Sequence, residues 1–246
     1  MLWERNHGQY IRTKMEIAKN LQNIHKNIQL SCLNHHRDRD SVKLLAVSKT
    51  KPVEDIETAY QAGQRAFGEN YVQEGVEKIE YFKTKHTDIE WHFIGPLQSN
   101  KTRLVAENFD WMQTLDRNKI ASRLNEQRPV NKAPLNVLIQ INISDESSKS
   151  GIQPDEMITL AKFIKNLPHL RLRGLMAIPA ATDNIVEQEQ AFTAMNQLLI
   201  KLKQAFPEQQ IDTLSMGMTD DMASAIKCGS TMVRIGTAIF GHRNYD

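Results

Sequence analysis

The sequence predicts a single α/β domain, residues 1–246, that folds as a (β/α)8 barrel of the TIM type with an extra N-terminal helix. Three observations favour this fold: chain length, eight strand-like segments alternating with helix-like ones, and polar residues at the strand ends. The chain has 246 residues, and such barrels take about 250. An open, doubly wound parallel sheet is the alternative, because it has the same alternation.

The extra helix is predicted from Ile17, Leu21, Ile24 and Ile28, whose spacing places them on one helical face. Strands are then expected, in order, at 43–48, 65–68, 89–94, 109–115, 135–143, 170–178, 211–216 and 231–236. Proline and polar residues between these strands mark helix starts. The expected starts are at Pro52, Asn70 with Gln73, Asp116, Pro154 and Thr219.

The alternation of side chains along the strands indicates where a functional site would lie. In 135–143 one parity is wholly aliphatic, and the other contains Asn136, Gln140 and Asn142. The aliphatic parity should meet the helices, and the polar parity should point into the barrel. The same pattern puts Arg234 inside, between outward Val233 and Ile235. Barrel active sites lie at the carboxyl ends of the strands, where these polar groups collect.

Composition excludes several classes of function. The formal charge is +2, from 31 basic and 29 acidic residues, which gives no electrostatic case for nucleic acid or a membrane surface. Two cysteines are too few for a disulfide framework. No apolar run reaches the roughly 18 residues of a membrane span, and residues 1–10 lack a signal-peptide core. We therefore expect a soluble, cytoplasmic protein.

No metal site is expected. His35 and His36 lie in a stretch of alternating charges, which is more typical of a solvated loop than of metal ligands. The chain has no spaced cluster of cysteine and histidine.

Lys49 is the first candidate functional residue, because it ends the apolar run of the first predicted strand. At the mouth of a barrel a lysine amine can lose solvent, which depresses its pKa and prepares it for imine formation with an aldehyde. The alternative is an ordinary solvated lysine at a strand end.

The last strand and its neighbour suggest an anion site. Gly236 lets the backbone approach a ligand, and Thr237 offers a hydroxyl and an amide at a helix start. Phosphate sites in barrels recur after strands seven and eight. Ser215, Met216 and Gly217 form a second small loop beside it. A plain strand-to-turn glycine is the alternative for Gly236, and simple packing is the alternative for Met216.

Three further candidates have structural alternatives. Asn70 is either a helix cap, a ligand contact or both. His92 is either a hydrogen-bonded core histidine or a contact near the mouth. Arg234 either faces a ligand or pairs with an inward carboxylate such as Glu90.

Seven segments together resemble the pyridoxal-phosphate homeostasis proteins, the YggS/PROSC family. They are LLAVSKTKP at 44–52, FGENY at 67–71, WHFIG at 91–95, LQSNK at 97–101, GLM at 174–176, LSMGMTDD at 214–221 and VRIGTAIFG at 233–241. The resemblance covers nearly everything from Leu44 to Gly241, in order. This sequence departs from the family at Thr219, where serine is common, and in an extension before the first helix.

The resemblance implies a barrel similar to the N-terminal domain of alanine racemase, with pyridoxal 5′-phosphate (PLP) held as an internal aldimine on Lys49. By position it implies that Asn70 borders the cofactor and that Arg234 faces the pyridine nitrogen. Residues implied to hold the phosphate are Ser215, Gly236 and Thr237. His92, Met216 and Gly217 complete the expected cofactor contacts.

The function implied is a monomeric carrier that sequesters, delivers or buffers PLP, with PLP-dependent apo-enzymes as possible partners and little or no turnover. The rival is a PLP-dependent amino-acid racemase. Racemases of similar fold take a second base, a tyrosine, from an additional C-terminal domain, and the chain ends at Asp246, too soon for that domain. A third possibility is a barrel enzyme that acts on a phosphorylated metabolite without a cofactor.

Overall fold

The predicted barrel is confirmed by a computed structural model, which describes residues 2–147 and 150–242. Eight parallel strands pair in sequence order, and β8 closes the barrel against β1. The strands are β1 Lys43–Val47, β2 Ala66–Glu69, β3 Glu90–Phe93, β4 Trp111–Leu115, β5 Leu135–Gln140, β6 Leu170–Met176, β7 Thr213–Ser215 and β8 Met232–Ile235.

Helices cover the outside of the barrel. They are α1 Leu2–Asn34, α2 Val53–Gln61, α3 Val72–Phe82, α4 Thr102–Asn108, α5 Asn118–Gln127, α6 Met157–Lys165, α7 Ile185–Ala205, α8 Met222–Lys227 and α9 Thr237–Phe240, with short 3-10 turns at Ser99–Lys101 and Pro154–Glu156. Across the described residues, no helix has the length and apolar character needed to cross a bilayer.

The extra N-terminal helix α1 buries the predicted stripe of Ile17, Leu21, Ile24 and Ile28. It packs on α2, α8 and α9. The side-chain amide of Asn20 donates to the carbonyl of Ile239 at 2.9 Å, which ties α1 to α9 at the end of the barrel strands.

Side chains alternate between the two faces of the barrel as the sequence predicts. Trp91, Phe93, Val233 and Ile235 belong to the large core between strands and helices. The interior is filled by two small apolar clusters, Leu45 with Ala66, Ile94 and Met232, and Trp111 with Leu138 and Met176. Polar inward residues are buried beside these clusters, so they must form hydrogen bonds with one another or with the backbone.

Six of the eight predicted strands extend past the observed ones at their carboxyl ends, whereas β4 ends at Leu115 as predicted and β2 runs one residue further, to Glu69. Strand β5 ends at Gln140 rather than at 143, because Ile141 forms an isolated bridge with Ile152. The amide of Asn142 donates to the carbonyl of Ile152 at 2.8 Å. Residues beyond Gln140 therefore pair with their own following loop, which sequence periodicity does not reveal.

Three of the predicted helix caps are wrong. Helix α3 begins after Tyr71 without a side-chain cap, so Asn70 does not cap it. Asp116 instead accepts a hydrogen bond from the amide of Gly151 at 3.2 Å. Helix α8 follows Asp221, not Thr219. For Asp116, a contact distant in sequence outweighs the local capping preference. Pro52 does precede α2 as predicted.

Candidate functional site

A cavity with a volume of about 800 Å³ opens at the carboxyl ends of the strands. Its size lies within the usual range for small-molecule sites, about 300–1,000 Å³. Five of the predicted site residues line it: Lys49, Asn70, Arg234, Gly236 and Thr237. Ile94, Ile178 and Met218 supply apolar walls. The strands carrying the five residues are neighbours, because β1 pairs with both β2 and β8.

Lys49 lies in a tight turn directly after β1. The amide of Lys51 donates to the carbonyl of Ser48 at 3.1 Å, and Thr50 has a φ of 64°, in the left-handed region that side chains rarely adopt. The side chain of Lys49 is half-buried and reaches the cavity. Its amine has no hydrogen-bond or ion-pair partner among the described residues. It is therefore available to a ligand.

Buried charges between β2 and α3 hold this turn in place. The amine of Lys78 donates to the carbonyl of Ser48 at 2.7 Å and lies 2.6 Å from Oε1 of Glu69 and 2.8 Å from Oε1 of Glu74. Glu74 in turn accepts a hydrogen bond from the amide of Thr50. The strained turn is thus fixed from outside the barrel. Sequence reasoning missed this network, whose only local signal is the i,i+4 spacing of Glu74 and Lys78.

Glu69 is the most perturbed carboxyl of this network. It is fully buried, and burial raises its pKa to about 7, although the charge and hydrogen bond of Lys78 act in the opposite direction. Its Oε1 accepts from the hydroxyl of Ser48 at 3.1 Å, while Oε2 is buried without a partner. The protonated acid is therefore favoured in the folded chain relative to a solvated glutamate.

Arg234 lies at the inner wall of the cavity and is only 5% exposed. Its Nη1 donates to the hydroxyl of Ser215 at 2.7 Å, and its Nη2 donates to the carbonyl of Ala177 at 2.9 Å. Burial lowers the pKa of Arg234 to about 10, partly opposed by Asp221, so the guanidinium stays charged at neutral pH. The alternative of a direct ion pair with Glu90 is wrong, because no carboxylate of the described residues lies within ion-pair distance of Arg234.

The structure does not bring every predicted site residue to the cavity wall. His92 is fully buried, and both ring nitrogens have partners, Glu90 and Gln113. Ser215 lies behind Arg234. These two can act on a ligand in the cavity only through other residues.

The loop after β7 contributes less than expected. Met216 packs in the outer core, because its parity is opposite to that of Ser215. Gly217 adopts a φ of 105°, and its carbonyl accepts from the amide of Arg234 at 2.9 Å. The neighbouring Met218 and Thr219, rather than Met216 and Gly217, line the cavity.

Two features of the lining fit an anionic, hydrogen-bonding ligand. The first-turn amides of α9, at Thr237 and Ala238, have no intrahelical acceptor, as at any helix start. The side-chain oxygen of Asn70 is buried without a partner. A buried acceptor of this kind costs free energy unless a donor reaches it.

No group of three or more histidine, cysteine, aspartate or glutamate side chains that could hold a metal is present in 2–147 and 150–242. The lining brings together the amine of Lys49, the guanidinium of Arg234, the side-chain oxygen of Asn70 and the first turn of α9, with Asp220 and His242 at the same mouth. The cationic groups and free amides are typical of a protein that binds a small anionic ligand.

Comparison with known proteins agrees with this class. The family described as "Alanine racemase, N-terminal domain" matches residues 20–244. The pyridoxal phosphate homeostasis protein of Haemophilus influenzae is 75% identical over 232 residues, which are 94% of this chain and 98% of that protein. The chain belongs to the pyridoxal phosphate homeostasis protein family.

Solved structures show the same relationship. PipY of Synechococcus elongatus with PLP bound is 33% identical, and the match covers 92% of this chain and all (100%) of PipY, with a TM-score of 0.79. An alanine racemase of Clostridium difficile has a TM-score of 0.70, at 17% identity over 94% of this chain and 58% of the racemase. The second likeness shows the shared barrel alone.

The raised pKa of Glu69 predicts a pH dependence of stability. Between about pH 4.5, the ordinary pKa, and about pH 7 the unfolded chain releases a proton that the folded chain retains. The free energy of unfolding should therefore fall as pH rises through this window, by up to about 3 kcal/mol from this group. Glu69→Gln removes the titration, so the wild type should lose stability relative to this variant from pH 4.5 to 7 in urea unfolding.

Glu77→Gln on the exposed face of α3 is the matched control, and its stability difference from the wild type should not change with pH in this window. A pH-independent difference between the wild type and Glu69→Gln would contradict the argument.

Proposed function

We propose that this protein binds PLP in the mouth of the barrel through a Schiff base with Lys49, and that it sequesters, delivers or buffers the cofactor within the cell. The observation that carries the proposal is the unpartnered amine of Lys49 in a cavity beside a buried guanidinium. Two findings support it: the name of the relatives, and the PLP bound to PipY, whose whole length matches this chain.

The lining residues fit the groups of the cofactor. When bound, PLP supplies an aldehyde for the amine and an aromatic ring that can accept electrons. Asn70 would receive a donor at its unpaired oxygen. Gly236 and Thr237 would meet the phosphate, and a Cβ at Gly236 would already lie 3.3 Å from Cβ of Val47. The glycine therefore lets the loop after β8 lie close to β1 at the mouth of the barrel.

Arg234 explains why such a protein would hold PLP without activating it. A guanidinium donates hydrogen bonds and does not release its proton at neutral pH. Facing the pyridine nitrogen, it would keep that nitrogen unprotonated, and an unprotonated ring is a poorer electron sink. His92, Ser215, Met216 and Gly217 would then act from behind the lining rather than on the cofactor directly.

A carrier is favoured over a racemase because a racemase needs bases on both faces of the substrate. Lys49 is the one lysine of the described lining, which contains no tyrosine. We propose one PLP-binding barrel domain over 1–246, monomeric and cytoplasmic, with PLP-dependent apo-enzymes as partners. Transfer to them would require the cavity to stay open to solvent.

Purified protein should be yellow, and borohydride reduction followed by peptide mapping should place the pyridoxyl group on Lys49. Lys49→Ala should lose both the colour and the label. Lys51→Ala is the matched control: the Lys51 amine is occupied by the carbonyl of His242 at 3.0 Å, so this variant should keep both. Labelling of Lys51, or no label on the wild type, would contradict the assignment.

Racemase, transaminase and decarboxylase assays should show no efficient turnover, because the described lining offers one lysine and no tyrosine as a second base. Any amino acid turned over at about 1 per second or faster would favour an enzyme. Deletion of the gene should disturb several unrelated PLP-dependent pathways together. A defect confined to a single reaction would count against the carrier.

Arg234→Glu should protonate the pyridine nitrogen and change the absorption of the bound imine, while Lys49 remains labelled. The spectrum and the PLP affinity are the measurements. Arg123→Glu, whose native side chain bonds the carbonyl of Ser99 outside the cavity, is the control and should leave both unchanged. If Arg234→Glu also leaves both unaltered, Arg234 does not face the ring.

A further inference from the structure

A continuous line of hydrogen bonds crosses the interior of the barrel and ends at Arg234. From the cavity, Nη1 of Arg234 donates to Oγ of Ser215 at 2.7 Å. The same hydroxyl donates to Oε1 of Gln113 at 2.7 Å. Three strands, β8, β7 and β4, thus contribute one side chain each to the first half of this line.

The second half runs to the opposite end of the barrel. Nε2 of Gln113 contacts Nδ1 of His92 at 2.9 Å. Nε2 of His92 contacts Oε1 of Glu90 at 2.7 Å, and the amine of Lys43 reaches the same oxygen. Glu90 and Lys43 are the first residues of β3 and β1, so they lie at the amino ends of the strands, away from the cavity.

Between Arg234 and Glu90, every hydrogen bond in this line has its donor on the side of Arg234 and its acceptor on the side of Glu90. A guanidinium can only donate, so the Ser215 oxygen accepts from Arg234. The side-chain oxygen of Gln113 faces Ser215 and can only accept, so the Ser215 hydroxyl donates to it. The Gln113 oxygen is then occupied, which leaves its amide hydrogens for Nδ1 of His92. That nitrogen must be unprotonated, and the ring proton must lie on Nε2, facing Glu90.

Burial and charge support this assignment. Gln113, His92 and Ser215 are fully buried, and His92 stacks on Trp111 with ring centroids 5.0 Å apart. Burial lowers the pKa of His92 against the effect of Glu90, so the ring is neutral. Burial alone would raise the pKa of Glu90, but the hydrogen bond from His92 and the hydrogen bond and charge of Lys43 lower it.

Arg234 is therefore a buried cation at one end of a polarised line whose other end is Glu90, while Asp221 supplies the carboxylate charge that acts on Arg234 itself. In a low-dielectric interior, aligned hydrogen bonds strengthen one another. The ionised Glu90 holds the ring proton of His92 on Nε2. The unprotonated Nδ1 of His92 then fixes the orientation of the Gln113 side-chain amide, and the Gln113 oxygen fixes the direction of the Ser215 hydroxyl proton.

We propose that Glu90 is a positioning residue for Arg234, acting through His92, Gln113 and Ser215 to fix the guanidinium that faces the cavity. Its effect on the cofactor rests on the proposed function, but the coupling itself is a property of the chain alone. Without the carboxylate, the freed amine of Lys43 can donate to Nε2 of His92, and the ring proton moves to Nδ1. Gln113 must then rotate, and the Ser215 hydroxyl can turn its proton toward Arg234.

The first test uses the protein without PLP. Nitrogen-15 spectra of the imidazoles, with His92 assigned by its loss in His92→Asn, should show the proton on Nε2 in the wild type. In Glu90→Met the proton should move to Nδ1, and the side-chain N–H resonances of Arg234 should shift. An unchanged tautomer together with unchanged Arg234 resonances would overturn the proposal, whether or not the protein binds PLP.

The second test measures PLP binding. Glu90→Met should weaken PLP affinity about tenfold, the scale of one hydrogen bond to a charged group. It should also alter the absorption of the bound imine, while borohydride still labels Lys49. Tighter or equal binding with an unaltered spectrum would overturn the coupling. Absence of the pyridoxyl label from Lys49 in the wild type would instead overturn the proposed function. The first test, which uses the protein without PLP, would still decide the coupling.

Two further variants separate positioning from general destabilisation. Asp88→Met removes a carboxylate two residues from Glu90, where Asp88 pairs with Arg65 at 3.0 Å outside the line. It should leave the His92 tautomer and the PLP spectrum unchanged, and the same changes as in Glu90→Met would overturn the proposal. If Glu90→Met fails to fold, Gln113→Met takes its place. This variant breaks the line at its centre and should shift the Arg234 resonances. Unshifted resonances in a folded Gln113→Met would overturn the proposal.

Discussion

The pairing of β8 with β1 is the contact on which the site depends. It joins segments from opposite ends of the chain, with Lys43 opposite Met232 and Ala46 opposite Ile235. This register brings the turn that carries Lys49 beside the loop after β8. The amine, the guanidinium of Arg234 and the first turn of α9 therefore share one cavity only because the barrel is closed. An open sheet would leave them on edges that never meet.

Closure of the barrel also buries the charged side chain of Arg234, which must then be stabilised by groups in the interior. Polar side chains inside a closed barrel are removed from bulk water, so each needs a hydrogen-bond partner within the barrel. Arg234 meets this requirement through neutral groups, the hydroxyl of Ser215 and the carbonyl of Ala177. Outside the barrel, the amine of Lys78 is neutralised directly by ion pairs with two carboxylates, Glu69 and Glu74. The first arrangement leaves the cation free to face a ligand, whereas the second uses the cation to fix a turn.

Much of the site could be predicted from the sequence, because strand parity and strand ends are local properties. The period of two places Arg234 inside, and the end of an apolar strand places Lys49 at the mouth. The partners of these residues could not be predicted, because they lie far apart in the chain: Ser215 and Gln113 are separated by 102 positions. Asn70 was misassigned as a cap because capping preference is a local rule, whereas its oxygen is buried by the cavity wall.

Binding without chemistry requires a site that is specific in geometry but weak in electronic activation. A flexible cation would serve this poorly, because it could move aside and let the ring of the cofactor gain a proton. A guanidinium fixed by Ser215 and Ala177 on one edge presents its remaining donors in one direction. With PLP bound as proposed, a rigid Arg234 would keep the ring unprotonated, and Ser215 and the backbone of Ala177 would maintain that rigidity from behind the cavity wall.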